Sequence, residues 1–342
     1  MRRASTRNRQ SGAALLLALL IMTLVATLAA GMVWLQWRGI EVEAAERART
    51  QAEWLLNASL DWGNLILKSS LPAGHTEDDL GQPWATPLEE TKLSSFLSAD
   101  GRNRDDDSGP EAYLSGQISD AQAKYNLYNL VVAVNGAGKT TEIQRLQILL
   151  AAIGVSPDLA NTIAAGLRAS YSAQQLQKEQ AGQADATNAA MMPIEVADLA
   201  WYGIDPKVIK TLEPFVQLIP FTNTAAMSIN ANTASAEVLM TGCPGMTRAQ
   251  AEQVILQRRQ KPFEDPAKVP ADIGMPAATA CGGGADNPGP KGILSVKSQY
   301  FEILGQLRYE QHVIRERSVV YRKDPFTPVQ VLRRERLPPN PA

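Results

Sequence analysis

Few residues in this chain are spaced for chemistry. Gly12 and Ala13 form a small-residue junction between a segment carrying Arg2, Arg3, Arg7 and Arg9 and an apolar run from Ala13 to Trp37, in which the only polar side chains are Thr23, Thr27 and Gln36. A secretory signal is cut behind a shorter apolar core. Here the small-residue junction lies in front, so hydrolysis of the Gly12–Ala13 bond would leave the apolar helix on the mature chain. An uncut signal anchor is the alternative, and both stay open on this pattern alone. Cys243 and Cys281, the two cysteines of the sequence, are either a disulfide in an oxidising compartment or two separate buried thiols. The two histidines, His75 and His312, have no Cys, Ser or acidic residue at a catalytic spacing. With no acid/base pair, nucleophile or metal-ligand cluster in the pattern, the expectation is a protein that is not an enzyme.

Three segments mimic ligand sites. Val131 to Thr140 reads as a strand end feeding a phosphate loop and closes on Gly138-Lys139-Thr140. The loop needs glycine five residues before Gly138, where Ala133 stands, so a glycine-rich turn into a helix is expected instead. Asp105, Asp106 and Asp107 are adjacent, and adjacent carboxylates do not converge on one calcium ion, so they read as a solvated turn. The stretch Ser228 to Leu239, then Pro244-Gly245-Met246-Thr247, then Ala249 to Arg259 reads as helix, hairpin, helix, with Thr233 or Ser235 capping the first helix and Thr247 the second. It resembles the DNA-binding helix-hairpin-helix, but Thr247 replaces the second glycine of that turn. Arg248, Arg258, Arg259, Lys261 and Lys268 against Glu237, Glu252, Glu264 and Asp265 leave a single net positive charge. That is a thin footprint for a duplex.

The elements that hold these residues begin with one long helix. The apolar run is long enough to cross a bilayer, for which about twenty residues are needed, and the leading arginines keep its amino end in the cytoplasm. No proline interrupts the chain from Ala13 to Pro72, and Glu41, Glu43, Glu46, Arg47, Arg49 and Glu53 alternate with Ala44, Ala45, Ala48, Ala52, Trp54 and Leu55. The second half is therefore an amphipathic continuation of the same helix. Leu71 to Pro110 reads as loop, Ala112 to Ile118 as a strand, and Thr140 to Leu218 as helical, with Gln174 to Asn188 as a connection between helical modules. Tyr300–Leu307, His312–Tyr321 and Val329–Leu332 read as an antiparallel meander that the strand near Tyr113 joins. Removing the four leader arginines from 33 Lys and Arg leaves 29 against 35 Asp and Glu, so the mature chain is acidic and nucleic acid is not the expected partner.

The basic leader, the Gly12 junction and the long helix resemble those of type IV pilins and pseudopilins. Three further stretches resemble the minor pseudopilin K family of the type II secretion system: Ile118-Ser119-Asp120 through Tyr125-Asn126-Leu127-Tyr128-Asn129-Leu130, the module Asn230-Ala231-Asn232-Thr233-Ala234, and closing strands from Tyr300-Phe301. The resemblance implies an α+β fold, a pilin-like long N-terminal helix with a small antiparallel sheet, carrying a large all-helical insertion of the SAM or helix-hairpin-helix kind. On that plan residues 1–12 are the leader, 13–70 the transmembrane and filament-core helix, 71–135 the first part of the α/β domain, 136–290 the insertion and 291–342 the closing strands and tail. It implies cleavage by prepilin peptidase between Gly12 and Ala13, an inner-membrane anchor with the bulk of the chain in the periplasm, and a place at the pseudopilus tip. The implied partners are minor pseudopilins I and J, other pseudopilins and the inner-membrane assembly platform. The fifth residue after the cut is Leu17, where most pseudopilins carry a glutamate that is costly in hydrocarbon unless paired. The filament-packing face holds Ala44, Ala48, Ala52 and Leu55. The family often holds calcium in an acidic loop of its first helical module. The matching stretch here, Ala164 to Tyr171, has no acidic cluster, and Asp185 is the nearest carboxylate candidate. The rival reading is a membrane-tethered, periplasmic DNA-binding protein of the competence type.

Overall fold

The computed structural model describes residues 11–69, 77–92, 112–132, 138–179, 191–220, 226–275, 281, 292–309, 312–324 and 327–338. The leader arginines, His75, Asp105 to Asp107, Asp185 and the Gly282 to Gly284 run lie outside them. The chain divides into two compact units, Met1–Asn57 and Ala58–Ala342.

Helix α1 runs from Ser11 to Ser69. Its stretch within Ala13–Asn57 is long and apolar enough to cross a membrane. The hydroxyls of Thr23 and Thr27 donate to the carbonyls of Leu20 and Leu24, both at 2.9 Å, so each is satisfied by its own helix. That is how a hydroxyl is tolerated where no water is available. Farther along, Arg47 pairs with Glu43, and Arg49 with Glu53 at 3.3 Å, one helical turn apart.

The second unit is built on a five-stranded antiparallel sheet. Its strands are β1 (Leu88–Lys92), β2 (Ala112–Asp120), β7 (Tyr300–Tyr309), β8 (His312–Tyr321) and β9 (Gln330–Leu337), hydrogen-bonded in that order. Strand β7 alternates strictly between buried and half-buried residues, the period-two signature of a strand with one packed face. Ile118, Phe301, Ile303 and Val320 from the sheet bury against Leu60 and Leu67 of α1 and against Trp84. The Trp84 and Phe301 rings meet edge to face at 5.2 Å. Strand β1 corrects the expectation of loop from Leu71 to Pro110. Its sequence, Leu-Glu-Glu-Thr-Lys, has no apolar alternation because it is an edge strand whose order comes from pairing with β2.

The chain leaves the sheet after Asp120 and returns at Tyr300. Between these points lies the helical insertion, with strands β3 (Tyr125–Asn126), β4 (Val216–Gln217), β5 (Ile229–Asn230) and β6 (Leu294–Ser295) and helices α2 (Asn129–Val132), α3 (Gly138–Ala152), α4 (Leu159–Glu179), α5 (Pro206–Leu212), α6 (Ala236–Gly242), α7 (Arg248–Gln260) and α8 (Val269–Asp272). Leu146, Leu149 and Leu150 from α3 meet Ile163 and Leu167 from α4 in a core shared with Leu239 and Val254. Gly154, at φ +75°, ends α3 in the left-handed conformation that glycine adopts without strain.

Several boundaries differ from the sequence reading. The insertion's core begins at Tyr125 and ends at Val296, so limits at 136 and 290 fall inside the packed body. Two parallel strand pairs, β3 with β4 and β5 with β6, close it. Gln174 to Glu179, read as connection, continue α4. The module beginning at Ser228 opens with β5, and helix starts only at Ala236, where the Ser235 hydroxyl caps it by accepting from Val238 N. Thr233 is no cap, because its hydroxyl is used elsewhere. Thr247 caps α7 in a reciprocal box with Gln250.

Candidate functional site

Gly12 and Ala13 lie in the first turn of α1, and Leu17 is 62% exposed in the same helix. Ala44, Ala48, Ala52 and Leu55 follow one another at four- and three-residue steps and so share a face of α1. The side chain of Ala52 lies outside the described set, Ala44 is exposed and Ala48 half-buried.

The other motifs come together in the second unit. Three asparagines use their side-chain amides as stand-ins for a peptide group, each pairing with both the N–H and the carbonyl of one distant residue. Asn126 accepts from Ile219 N at 3.1 Å and donates to Ile219 O at 2.8 Å. Asn129 treats Met227 the same way, at 2.8 and 3.1 Å, and Asn232 treats Phe263 at 2.8 and 2.9 Å. All three are buried. Backbone that leaves regular structure inside a core must find such partners, and asparagine carries one donor group and one acceptor in peptide geometry.

Asp120 is the hub. Its Oδ2 accepts from Thr233 Oγ1 at 2.6 Å, Ser298 Oγ at 2.6 Å and Asn230 Nδ2 at 2.9 Å, and its Oδ1 accepts from Gln122 N at 2.8 Å. Burial pushes its carboxyl up to about 6, against the lowering effect of the Ser298 and Thr233 hydroxyls. Beside it, Asp78 accepts from Ser298 N at 2.8 Å and pairs with Arg322. Burial raises Asp78 as well, and the Arg322 charge opposes it. Arg322 also donates to Leu67 O at 3.0 Å and Ser298 O at 3.1 Å, and lies 4.6 Å from the Phe301 ring centre. Asp78, Ser298 and Arg322 escaped the sequence reading because each stands in a stretch without a local pattern.

A second polar group, also missed, sits inside the insertion. The Tyr125 hydroxyl donates to Glu142 Oε2 at 2.8 Å, and Glu142 pairs with Arg145 at 3.1 Å, with Arg145 only 1% exposed. Burial raises Glu142, and Arg145 opposes the shift. Arg145 Nη1 reaches the carbonyls of Thr241 and Gly242 at 3.1 and 3.3 Å, satisfying the end of α6. The next residue, Cys243, is joined to Cys281 in a disulfide with Cα atoms 4.5 Å apart. Leu294 N donates to Cys281 O and Ile293 N to Gly242 O, both at 2.9 Å, so the cross-link holds the segment that carries β6. A Cβ on Gly292 would lie 1.9 Å from Cys281 O, which leaves room for glycine only.

The hairpin's cations are turned to structural use. Arg258 donates to Ala231 O and Ala234 O at 2.9 and 2.7 Å, and burial lowers it to about 10. Arg248 pairs with Glu237 and Glu252, both at 3.1 Å, and Lys261 with Glu264 at 2.9 Å. Arg259 and Lys268 stay exposed, so the segment keeps the single net positive charge counted from its sequence. The stretch that corresponds to the family's calcium loop is helical, and Asp185 lies outside the described residues. Ala164 to Tyr171 is the interior of α4, where Ala164, Leu167 and Ser170 are buried and the Tyr202 ring sits 2.6 Å from where a Cβ on Gly166 would be. That stretch packs and does not fit a calcium ion. No group of three or more His, Cys, Asp or Glu side chains able to hold a metal occurs among the described residues.

Two family models described as protein K of the type II secretion system match residues 123–221 and 229–285. The matched ranges cover the two halves of the helical insertion. Among curated proteins, the chain is 26% identical over 332 residues to type II secretion system protein K of Pectobacterium carotovorum subsp. carotovorum, covering 92% of this chain and 93% of that one. Among solved structures it resembles a chain of the GspK-GspI-GspJ complex from the enterotoxigenic Escherichia coli type 2 secretion system. The TM-score is 0.60 at 20% identity, over 86% of this chain and 99% of that chain.

Proposed function

The chain belongs to the protein K family of the type II secretion system, and from that premise we propose that this minor pseudopilin caps the pseudopilus tip and helps initiate its assembly for export of folded proteins. The observation that carries the reading is the helical insertion between Asp120 and Tyr300, built onto a pilin-like sheet. A subunit with that added volume has no room for another stacked above it, so the end of the filament is the place that accepts it. Leu17 agrees with this position. A subunit inside the filament is expected to offer a carboxylate to a neighbour's amino terminus, and leucine has none to offer.

On this reading α1 is a single-pass inner-membrane anchor until prepilin peptidase cuts between Gly12 and Ala13, with the second unit in the periplasm. Ala44, Ala48, Ala52 and Leu55 then pack against parallel helices of minor pseudopilins I and J, whose namesakes share a complex with the related Escherichia coli chain. The inner-membrane platform drives assembly, and the chain performs no catalysis of its own. The rival DNA-binding role is weakened by the inward use of Arg258 and the pairing of Arg248 and Lys261.

Position in the filament tests this. A gold label on a cysteine replacing exposed Leu256 of α7 should appear at one end of each assembled filament. Labels spaced along filaments would refute the tip assignment.

A further inference from the structure

The insertion hangs on two chain segments, the outgoing one after Asp120 and the returning one before Tyr300. Two modules joined that way move relative to each other by default unless something holds the joint. Among the described residues one apolar cluster spans the joint, Ala121, Ile219, Met227 and Val319 with Tyr300 partly buried against them, and Arg333 of β9 donates to Ile194 O of the insertion. Apolar burial is non-directional and permits sliding. The polar groups at the same place are directional, and they cross the joint.

We propose that Asp120 is a positioning residue that clasps this neck and fixes the insertion in one orientation on the sheet. Its Oδ2 ties the outgoing segment to the returning one through Ser298 Oγ at 2.6 Å, and to the second half of the insertion through Thr233 and Asn230. Gln122 adds a second rung: its Oε1 accepts from Gln299 N at 2.6 Å and its Nε2 donates to Ser228 Oγ at 2.9 Å. Asp120, Gln122, Asn230 and Ser298 are all buried, where hydrogen bonds are stronger and an orphaned partner is costly.

The choice of a carboxylate separates positioning from simple stabilisation. Arg322 sits on Asp78, while the groups donating to Asp120 are a backbone amide, a side-chain amide and two hydroxyls. A buried carboxylate held by neutral donors costs stability relative to a well-packed apolar residue. What it supplies is several acceptor sites at one point, so donors from three segments must converge in one geometry.

The test uses the full chain in lipid nanodiscs, with spin labels on cysteines replacing Val313 of β8 and Leu256 of α7, both exposed. The parent, whose own cysteines are paired, should give one narrow label-to-label distance. Asp120→Asn should broaden it or add a second population, and Ser298→Ala, a smaller change that cuts the same rung, should do the same. Leu150→Ala removes core contacts away from the neck, so it should lower the unfolding temperature and leave the distance narrow. If Asp120→Asn and Ser298→Ala behave like Leu150→Ala, Asp120 is only a stabilising residue and the clasp is refuted. If Asp120→Asn does not fold, a narrow parental distance in Ser298→Ala refutes it alone. The measurement needs no filament, so it stands or falls separately from the tip assignment.

Discussion

Replacing Arg322 by methionine should expose how the second unit carries a buried ion pair. The side chains of Arg322 and Asp78 are 3% and 2% exposed, so neither charge is helped by water. Methionine fills much of the volume but leaves Asp78 without its cation and removes the donors to Leu67 O and Ser298 O. Breaking a buried pair from one side costs about 3–5 kcal/mol, which for a body of this size is about 10 °C in unfolding midpoint. The deficit should depend on pH, with a sign that burial dictates. Asp78 is already raised in the folded state, so folding takes up a proton as pH falls into the window between the unfolded and folded values. Stability is therefore highest below that window and is lost as pH rises through it. Without Arg322 to hold the carboxyl down, the window extends upward. Urea unfolding of parent and Arg322→Met at pH 5 and pH 8 should show the smaller deficit at pH 5, and Asp78→Asn in the Arg322→Met background should recover much of the loss at pH 8. A deficit equal at both pH values, or no recovery in the double variant, would refute the ion-pair account.

Gly12→Leu should block processing, because a bulky side chain obstructs the bond at the membrane face; a product with wild-type mobility on electrophoresis would sink the leader reading. Replacing Cys243 and Cys281 by serine opens a cross-link across a sequence separation of 38 residues, worth about 4 kcal/mol on the chain-entropy estimate. A matching drop in unfolding midpoint is expected, and free thiols in unreduced peptides of the parent would rule the bond out. Ala48→Glu with Ala52→Glu places charge in the proposed filament seam, at a cost of several kcal/mol if the seam is buried. Secretion should fail while the protein is still made and processed; normal secretion would remove that face from the assembly model.

What lay in local pattern was legible without coordinates. The proline-free run after Ala13 dictates one long helix, the alternation after Tyr300 dictates a strand, and Thr247 marks a helix start because a cap acts within three residues of itself, while Thr233 and Ser235 stay open as alternatives for the preceding helix. The Asn230-Ala231-Asn232-Thr233-Ala234 module could be singled out as a unit, though not understood. Its asparagines are peptide stand-ins for partners far along the chain, and Thr233 serves Asp120, 113 residues away, in place of a helix end. Strand β1 shows the same limit: Leu88 to Lys92 carry no strand pattern and are ordered by β2. The pairing of Asp78 with Arg322 spans 244 residues. Local propensity and periodicity are written in neighbouring residues, whereas a buried polar partner is chosen by whichever distant segment the packed core delivers to it. The sequence by itself therefore determined the long helix, the meander and the Thr247 cap; only the tertiary structure chose Ser235 over Thr233 as the other cap and put Asp120 at the neck of the insertion.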